Sequence, residues 1–284
     1  MKSGFVTLVG RSNVGKSTLL NALVGSKVAI VTPKPQTTRH PVRGILHDPR
    51  GQIVFVDTPG IFLGKKDAVS TRLNQMVHEQ LEGIDAIVYV MDPTREPGQE
   101  EAAIQNILQK ITVPVILVIN KSDLPASQRL FLDVMRATDV GQKTALEISA
   151  LKRRDLNRLT DALYVLLPKG VPFYPQGQLT DQGHEQWLEE LIREKTFLRL
   201  EQELPYTIKV KVEEMETRSS GVRYVAATIW TTEDRYKKMI IGAKGQTLKM
   251  IGSDVRKELE GATQQKHYID LHIKVDPKWP ERFN

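Results

Sequence analysis

The 284-residue chain has no cysteine. Without thiols there is no disulfide scaffold, no thiolate zinc site and no cysteine nucleophile, and the composition fits a reducing compartment. No apolar run reaches the roughly 18 residues that a membrane span requires. Met1-Lys2-Ser3-Gly4 leads at once into a short apolar strand, with no signal-like segment before it. These absences exclude a spanning segment but not peripheral membrane contact. The length suits two domains of ordinary size. The formal net charge of +6 is modest; it fits either an anionic partner or a merely basic enzyme, so local placement of charge matters more than the total.

The most informative stretch is Gly10-Arg11-Ser12-Asn13-Val14-Gly15-Lys16-Ser17. It fits G-x-x-x-x-G-K-[ST], in which glycines let backbone N–H groups curl around a polyphosphate. Lys16 supplies charge for the outer phosphates, and the Ser17 hydroxyl is placed to hold Mg²⁺. A chance Gly-rich turn would lack the flanks seen here: Phe5–Val9 reads as a buried strand and Ser17-Thr18-Leu19-Leu20 as a helix start. A phosphate would therefore meet a helix N-terminus.

After Val28–Val31 the segment Thr32–Pro41 has three prolines and no apolar periodicity, which predicts an exposed loop. In a P-loop protein a threonine on such a loop completes the Mg²⁺ and γ-phosphate shell; Thr38 is the first choice and Thr37 the alternative. Strands are predicted over 42–47 and 53–56, joined by the turn Asp48–Gly51. The second runs into Asp57-Thr58-Pro59-Gly60, whose Asp57 suits a Walker-B carboxylate on Mg²⁺ and whose Gly60 N–H can approach the γ-phosphate. Ile61 follows where Ras-like GTPases carry a water-orienting glutamine. It has no donor or acceptor, which predicts slow intrinsic turnover. Residues 62–75 read as a second switch.

Strands are also predicted over 86–91, 113–119 and 144–148, with helices over 99–110 and 155–167. The strand ending at Ile119 delivers Asn120-Lys121-Ser122-Asp123. An Asp123 carboxylate can accept from both the N1–H and the exocyclic amine of guanine, a donor pair adenine lacks. Lys121 can lie along the nucleotide, and Asn120 can tie this loop to the P-loop. Asp123 as a helix cap is the plainer alternative. In Ser149-Ala150-Leu151, the Ala150 N–H can support guanine O6. Alternating strands and helices predict an α/β, parallel-rich, Rossmann-like sheet with its ligand loops at the strands' carboxyl ends.

Pro168–Gln178 is rich in proline and glycine and reads as a linker. The reading divides the chain into residues 1–168, a linker over 169–183 and a second domain over 184–284. There the predicted order is helix from about 183, strand 204–212, strand 224–231, helix 235–241, Gly242-Ala243-Lys244-Gly245, helix 246–260 and strand 268–275. This α-β-β-α-α-β layout, an α+β unit with G-A-K-G between adjacent helices, is that of a type II KH domain. Its two glycines bring backbone against nucleotide phosphates, with Lys237, Lys238, Lys244 and Lys249 adding charge. Ile240 and Ile241 are expected to line the groove for single-stranded bases. A solvated lysine face on a small α/β domain is the plainer alternative.

Together the P-loop, Gln36-Thr37-Thr38-Arg39, Asp57-Thr58-Pro59-Gly60, Asn120-Lys121-Ser122-Asp123 and Ser149-Ala150-Leu151, followed by a GxxG KH layout, resemble the Era GTPase family over nearly the whole chain. Glu190–Lys195 and Glu203-Leu204-Pro205-Tyr206 are similar to that family's interdomain helix and first KH strand. The resemblance implies a monomeric, GTP-hydrolysing and Mg²⁺-dependent assembly factor of the small ribosomal subunit, binding single-stranded RNA near the 3′ end of 16S ribosomal RNA. It implies a cytoplasmic location, partly at the inner face of the plasma membrane. Its GTP contacts would fall on Gly10–Thr18, Asp57–Gly60, Asn120, Lys121, Asp123 and Ser149–Leu151, its Mg²⁺ ligands on Ser17, Thr38 and Asp57, its catalysis on Lys16, Thr38 and Gly60, and its RNA contacts on Lys237, Lys238, Ile240–Gly245 and Lys249. Ser12 stands where relatives typically have proline, a change in loop stiffness. Asn13 matches an asparagine that helps hold K⁺ in potassium-stimulated relatives. A GTP-regulated membrane or protein adaptor is the competing class of function, and salt-dependent RNA binding separates the two.

Overall fold

A computed structural model of the chain describes residues 1–34, 37–59, 83–140, 145–200 and 207–282. Gly60, Ile61, the rest of the expected second switch through residue 75, and Thr144 lie outside the described residues. The chain divides into two compact units, Met1–Asp181 and Gln182–Asn284.

The first unit is built on β1 (Lys2–Val9), β2 (Val42–Asp48), β3 (Gly51–Asp57), β4 (Ala86–Met91), β5 (Val115–Ile119) and β6 (Leu146–Glu147). Their spatial order is β2-β3-β1-β4-β5-β6. Only β2 runs antiparallel to its neighbour; the other pairs are parallel. Every residue of β3, β4 and β5 is buried, as expected of strands covered on both faces. Alternation along each strand divides the apolar side chains between two cores. Val88, Val90, Ile116 and Val118 join Leu19, Leu20, Leu159 and Leu163, which come from α1 (Lys16–Val24) and α4 (Leu156–Leu166). Ile87, Tyr89, Leu117 and Ile119 instead meet Ile104 and Leu108 of α2 (Gln99–Leu108) and Met135 of the short α3 (Leu132–Arg136). Helix α3 has no counterpart in the sequence expectations, and the strand expected over 144–148 is reduced to two residues.

The Pro/Gly-rich stretch read as a linker is largely part of this unit. Residues 169–181 are fastened along β1, β2 and β3 by paired bridges from Lys169 to Lys2 and from Thr180 to Gly44. The Gln52 side-chain oxygen accepts from the N–H groups of Phe173 (2.7 Å) and Tyr174 (3.0 Å), and Ile45 N–H donates to Leu179 O at 2.9 Å. Prolines and glycines prevent regular structure here, but the backbone groups still find partners. The segment covers the open edge of β2, which would otherwise present unpaired donors and acceptors.

In the second unit, β8 (Arg223–Thr231) lies between β7 (Lys209–Thr217), to which it is antiparallel, and β9 (His267–Val275), to which it is parallel. Three helices, α5 (His184–Arg199), α6 (Asp234–Ile241) and α7 (Gln246–Thr263), complete the expected order. Strand β7 runs five residues further than expected, to Thr217, through a bulge between Val212 and Glu214. The bulge shifts the pleat just where the apolar alternation of Ile208, Val210 and Val212 stops. Residues 204–206, the expected start of this strand, lie outside the described set. The core joins Val225, Ala227 and Ile229 to Leu191, Ile251, Val255 and Leu259.

Candidate nucleotide site and nucleic-acid interface

Four carboxyl ends of the parallel sheet, those of β1, β3, β5 and β6, converge on one site. Strand β1 ends in the loop Gly10–Gly15, which turns into α1. Gly15 has φ 100°, and a Cβ there would stand 2.3 Å from Asn120 Nδ2. The glycine therefore does two things: it makes the left-handed turn, and it leaves room for Asn120 Nδ2 to donate to Val14 O at 2.9 Å. The buried Asn120 Oδ1 accepts from Ala150 N–H at 3.0 Å. One side chain thus links the phosphate loop, the Asn120–Asp123 loop and the Ser149–Leu151 loop, which is the tie expected of Asn120. The consequence for Ala150 differs from expectation: its N–H is already engaged by Asn120, so it is not a free donor for guanine O6. Asp123 Oδ1 accepts from Ser149 Oγ at 2.5 Å, and Ser149 Oγ in turn accepts from Lys152 N–H at 3.0 Å. This fixes the Asp123 carboxylate by hydrogen bonding rather than by a helix cap. Lys121 Nζ is ion-paired with Asp92, and the Leu151 side chain is exposed.

Lys16 is buried, and its Nζ donates to the carbonyls of Gly10 (2.9 Å) and Arg11 (3.0 Å). Burial lowers its pKa to about 8, against the opposing pull of Asp57 and Glu100. Asp57 is fully buried; desolvation raises its pKa, offset in part by Lys16 and by hydrogen bonds from Ser17 and Thr38. Ser17 Oγ donates to Asp57 Oδ2 at 2.5 Å, Thr38 Oγ1 donates to the same oxygen at 3.3 Å, and the two hydroxyls are 3.0 Å apart. The three residues expected to ligate Mg²⁺ are therefore gathered at one point from α1, the 32–41 loop and β3. Asp57 Oδ1 is buried with no partner among the described residues. An all-oxygen donor set with a buried, unpartnered carboxylate oxygen fits a small hard cation such as Mg²⁺.

The two threonines differ in their partners. Thr37 Oγ1 donates to Lys34 O at 2.6 Å and lies 2.7 Å from Thr32 Oγ1, so it shapes the loop, whereas Thr38 faces Asp57. Thr58, expected among nucleotide contacts, donates from Oγ1 to Leu8 O at 2.8 Å and ties β3 to β1. The Arg11 side chain is drawn to Glu100 (2.7 Å) and Glu101 (2.8 Å). The cleft beside the loop is walled by Ser12, Asn13, Lys16 and Ser17 on one side and by Thr32 and Thr38 on the other. No sequence motif marks Asn21, yet its side chain accepts from Val28 and Ala29 N–H groups at 2.9 Å and donates to Ala29 O at 2.8 Å, setting where the 32–41 loop begins.

In the second unit, Gly242-Ala243-Lys244-Gly245 forms a tight turn between α6 and α7. Gly242 has φ 74°, and a Cβ on it would sit 2.2 Å from Thr247 Oγ1; Gly245 has φ 75° with nothing within 4 Å of its Cβ position. One glycine is required by packing, while the other leaves an open approach at the N-terminus of an 18-residue helix. Ala243, Lys238, Lys244 and Lys249 are exposed, and Lys237 and Ile241 are partly so. Ile240 is a correction: it is completely buried in the core of this unit and does not line the groove. The groove beside the turn is formed by Gly245, Lys249, Gly252, Arg256, Tyr268 and Leu271. Arg256 and Tyr268 went unnoticed in the sequence because they belong to α7 and β9 and meet only in the folded unit.

An oxygen-lined cluster fit for Mg²⁺ at a P-loop, beside the Asn120-tied loop that carries the Ser149-held Asp123, defines a P-loop GTPase. The three-stranded sheet and three helices around G-A-K-G define a KH domain appended to it. Comparison with known proteins agrees: the family described as 50S ribosome-binding GTPase matches residues 5–121, and the KH domain family matches residues 203–280. GTPase Era of Halothermothrix orenii is 40% identical over 99% of this chain and 95% of its own. GTPase Era of Heliobacterium modesticaldum is 38% identical over 99% and 94%. Among solved structures, an Aquifex aeolicus Era variant bound to GDP·AlF4⁻ superposes with a TM-score of 0.93 at 36% identity, covering 99% of this chain and 96% of that one. Era in complex with MgGDPNP and nucleotides 1506–1542 of 16S ribosomal RNA superposes with a TM-score of 0.93 at 37% identity, with the same coverage. The chain belongs to the Era GTPase family, and it is a GTP-hydrolysing enzyme.

Proposed function

We propose that this GTPase is a GTP-timed RNA-binding switch of small-subunit ribosome assembly. In this reading it holds the single-stranded 3′ region of 16S ribosomal RNA in the groove beside Gly242–Gly245. The observation that carries the reading is the open turn at Gly245, flanked by Lys244 and Lys249, in a chain that also carries the Ser17–Thr38–Asp57 cluster. Backbone there can meet a phosphate closely, while Arg256 and Tyr268 offer charge and a stacking surface to the bases. The relative solved with nucleotides 1506–1542 of 16S ribosomal RNA supports the choice of RNA.

At the nucleotide site, Asp123 would accept from the guanine edge, and Lys16 with the loop N–H groups would hold the phosphates. Ser17, Thr38 and Asp57 would hold Mg²⁺, which when bound offsets charge on the phosphate oxygens. Lys16 and the loop N–H groups stabilise charge that develops as the bond to the γ-phosphate breaks. The nucleotide-sensing step lies in Thr38, whose hydroxyl reaches Asp57 (3.3 Å) and Ser17 (3.0 Å), so a bound γ-phosphate with Mg²⁺ would order the 32–41 loop through this residue. The Gly60 N–H, outside the described residues, completes this set in the same reading. Asn13 donates from Nδ2 to Pro33 O at 2.6 Å, which places it between the P-loop and the 32–41 loop. In the same reading K⁺ is the stimulating monovalent ion; equal hydrolysis rates in K⁺ and Na⁺ would contradict this.

Among the described residues no helix is long and apolar enough to cross a membrane. The proposed place of action is the cytoplasm, with peripheral contact at the inner face of the plasma membrane, as a monomer. Binding of pyrimidine-containing single-stranded RNA by the intact protein and by Lys244→Asp tests the function. Strong, salt-sensitive binding that the substitution removes supports it, whereas binding insensitive to both salt and substitution favours a protein or membrane adaptor.

A further inference from the structure

The phosphate loop and the Asn120–Asp123 loop are joined by a third segment that carries no nucleotide-binding motif. Residues 92–101 run from the carboxyl end of β4 into the first turn of α2. At one end Asp92 is buried; its Oδ2 pairs with Lys121 Nζ, and its Oδ1 accepts from Thr94 N–H (3.0 Å) and Thr94 Oγ1 (2.7 Å). In the middle, Arg95 Nη1 donates to the Ser12 carbonyl at 3.0 Å. At the other end Arg11 reaches out of the phosphate loop. Its Nε donates to Glu100 Oε2 at 2.7 Å, and its Nη1 donates to Glu101 Oε1 at 2.8 Å and to Glu96 O at 3.1 Å. Glu101 is itself held, since its Oε2 accepts from Gly98 N–H at 2.9 Å and closes the first turn of α2.

We infer that residues Asp92–Glu101 act as a brace that holds the phosphate loop and the guanine loop in register, with Arg95 and Asp92 as positioning residues for GTP binding. Ser12 and Arg11 lie in the part of the loop whose N–H groups must all point one way. A guanidinium on the Ser12 carbonyl fixes that peptide plane, and the Arg11 pairs anchor the side chain of the preceding residue to the same segment. Lys121, held by Asp92 from the far side, is fixed relative to the same segment. Two anion- and base-binding loops tied to one rigid span lose less freedom on binding one nucleotide than two independent loops would, so the gain appears only when base and phosphates belong to the same molecule. The partners are 29 to 90 residues apart in sequence, which is why no motif marks them.

This inference rests on reading Gly10–Ser17 and Asn120–Asp123 as the two ends of one nucleotide site. Lys16→Ala and Asp123→Ala test that reading separately: unchanged GDP affinity in both overturns it and the brace with it. If both lose GDP, the brace is tested by Arg95→Ala, Asp92→Asn and Arg95→Lys in the full chain. The affinities of guanosine, pyrophosphate and GDP are measured for each, together with thermal unfolding. The expected result is a loss of about tenfold or more in GDP affinity for Arg95→Ala, with guanosine affinity within twofold, partial rescue by Arg95→Lys, and less-than-additive loss in the Arg95→Ala/Asp92→Asn pair. A merely structural role would lower all three affinities alike and in step with stability. That pattern, or a GDP affinity unchanged in Arg95→Ala, overturns the inference.

Discussion

The chain contains two backbone turns suited to phosphate, and they are built on opposite plans. The loop from Gly10 to Gly15 is held from several directions: Asn120 on Val14 O, Arg95 on Ser12 O, Arg11 on Glu100 and Glu101, and Lys16 inside it. The turn from Gly242 to Gly245 is held by local contacts, with Gly242 N–H on Lys238 O (2.9 Å), Gly245 N–H on Gly242 O (3.2 Å) and Gly242 packed closely on Thr247; its outer face at Gly245 is open, and its charge comes from exposed lysines. The first plan suits tight, shape-specific recognition of one small ligand by groups already in place. The second suits a long, flexible anion that is attracted mainly by electrostatics and read by stacking and edge contacts. A comparison of the two sites under mutation, pH and salt should therefore give different responses.

The largest effect is expected at the buried cation. Lys16→Ala should lower GDP affinity by about 100- to 1,000-fold, because removing one partner from a desolvated charge pair costs about 2–5 kcal/mol; calorimetric titration checks this, and RNA affinity in the absence of nucleotide should not change. Next come the two glycines of the KH turn. Gly242→Ala must place a methyl group 2.2 Å from Thr247 Oγ1 at a left-handed φ, whereas Gly245→Ala pays only the left-handed cost of about 1–2 kcal/mol. Thermal unfolding of the second unit should show Gly242→Ala as clearly the more destabilised of the two. A Gly245→Asp variant should lose RNA at low salt, because it sets a negative charge where the phosphate approaches.

A smaller, graded effect is expected from pH. Lys16 titrates at about 8 because burial disfavours its charged form. A bound polyphosphate favours that charged form and raises its pKa. Below pH 8 the lysine is already protonated, and GDP affinity measured without Mg²⁺ should be flat. Above pH 8 binding must take up a proton, and affinity should fall towards tenfold per pH unit. Titrations in buffers of different ionisation enthalpy reveal the proton uptake directly. The smallest effect is on the salt slope of RNA binding: Lys244→Ala should reduce it by about 0.7, the contribution of one phosphate contact on a single strand.

The sequence made the two plans unequally visible. Motif residues at strand ends were legible because the chemistry fixes both residue type and spacing, and the structure brings Ser17, Thr38 and Asp57 together as that spacing implied. Supports built from distant residues left no local pattern: the Arg95 contact to Ser12 spans 83 positions and the Arg11–Glu101 pair spans 90. Ile240 is a different case. Tyr236 and Ile240 are spaced i, i+4 on α6, and both pack on the core, so the helical period carried the signal for burial although proximity to the GxxG turn suggested the groove. The linker reading failed in part for a related reason. Proline and glycine show that regular structure ends, but not that a segment is detached, and residues 169–181 are bonded to the sheet edge through Gln52 and Ile45.

The pairing of a braced nucleotide site with an electrostatic RNA site in one chain is tested most directly by measuring GTP hydrolysis and RNA affinity side by side in intact protein and Lys244→Asp from about 50 to 200 mM salt. RNA affinity should fall steeply and log-linearly with salt and be nearly lost in the variant, while hydrolysis without RNA is the same for both proteins. RNA binding that ignores salt and the Lys244→Asp change, or hydrolysis that falls together with RNA affinity, would contradict it.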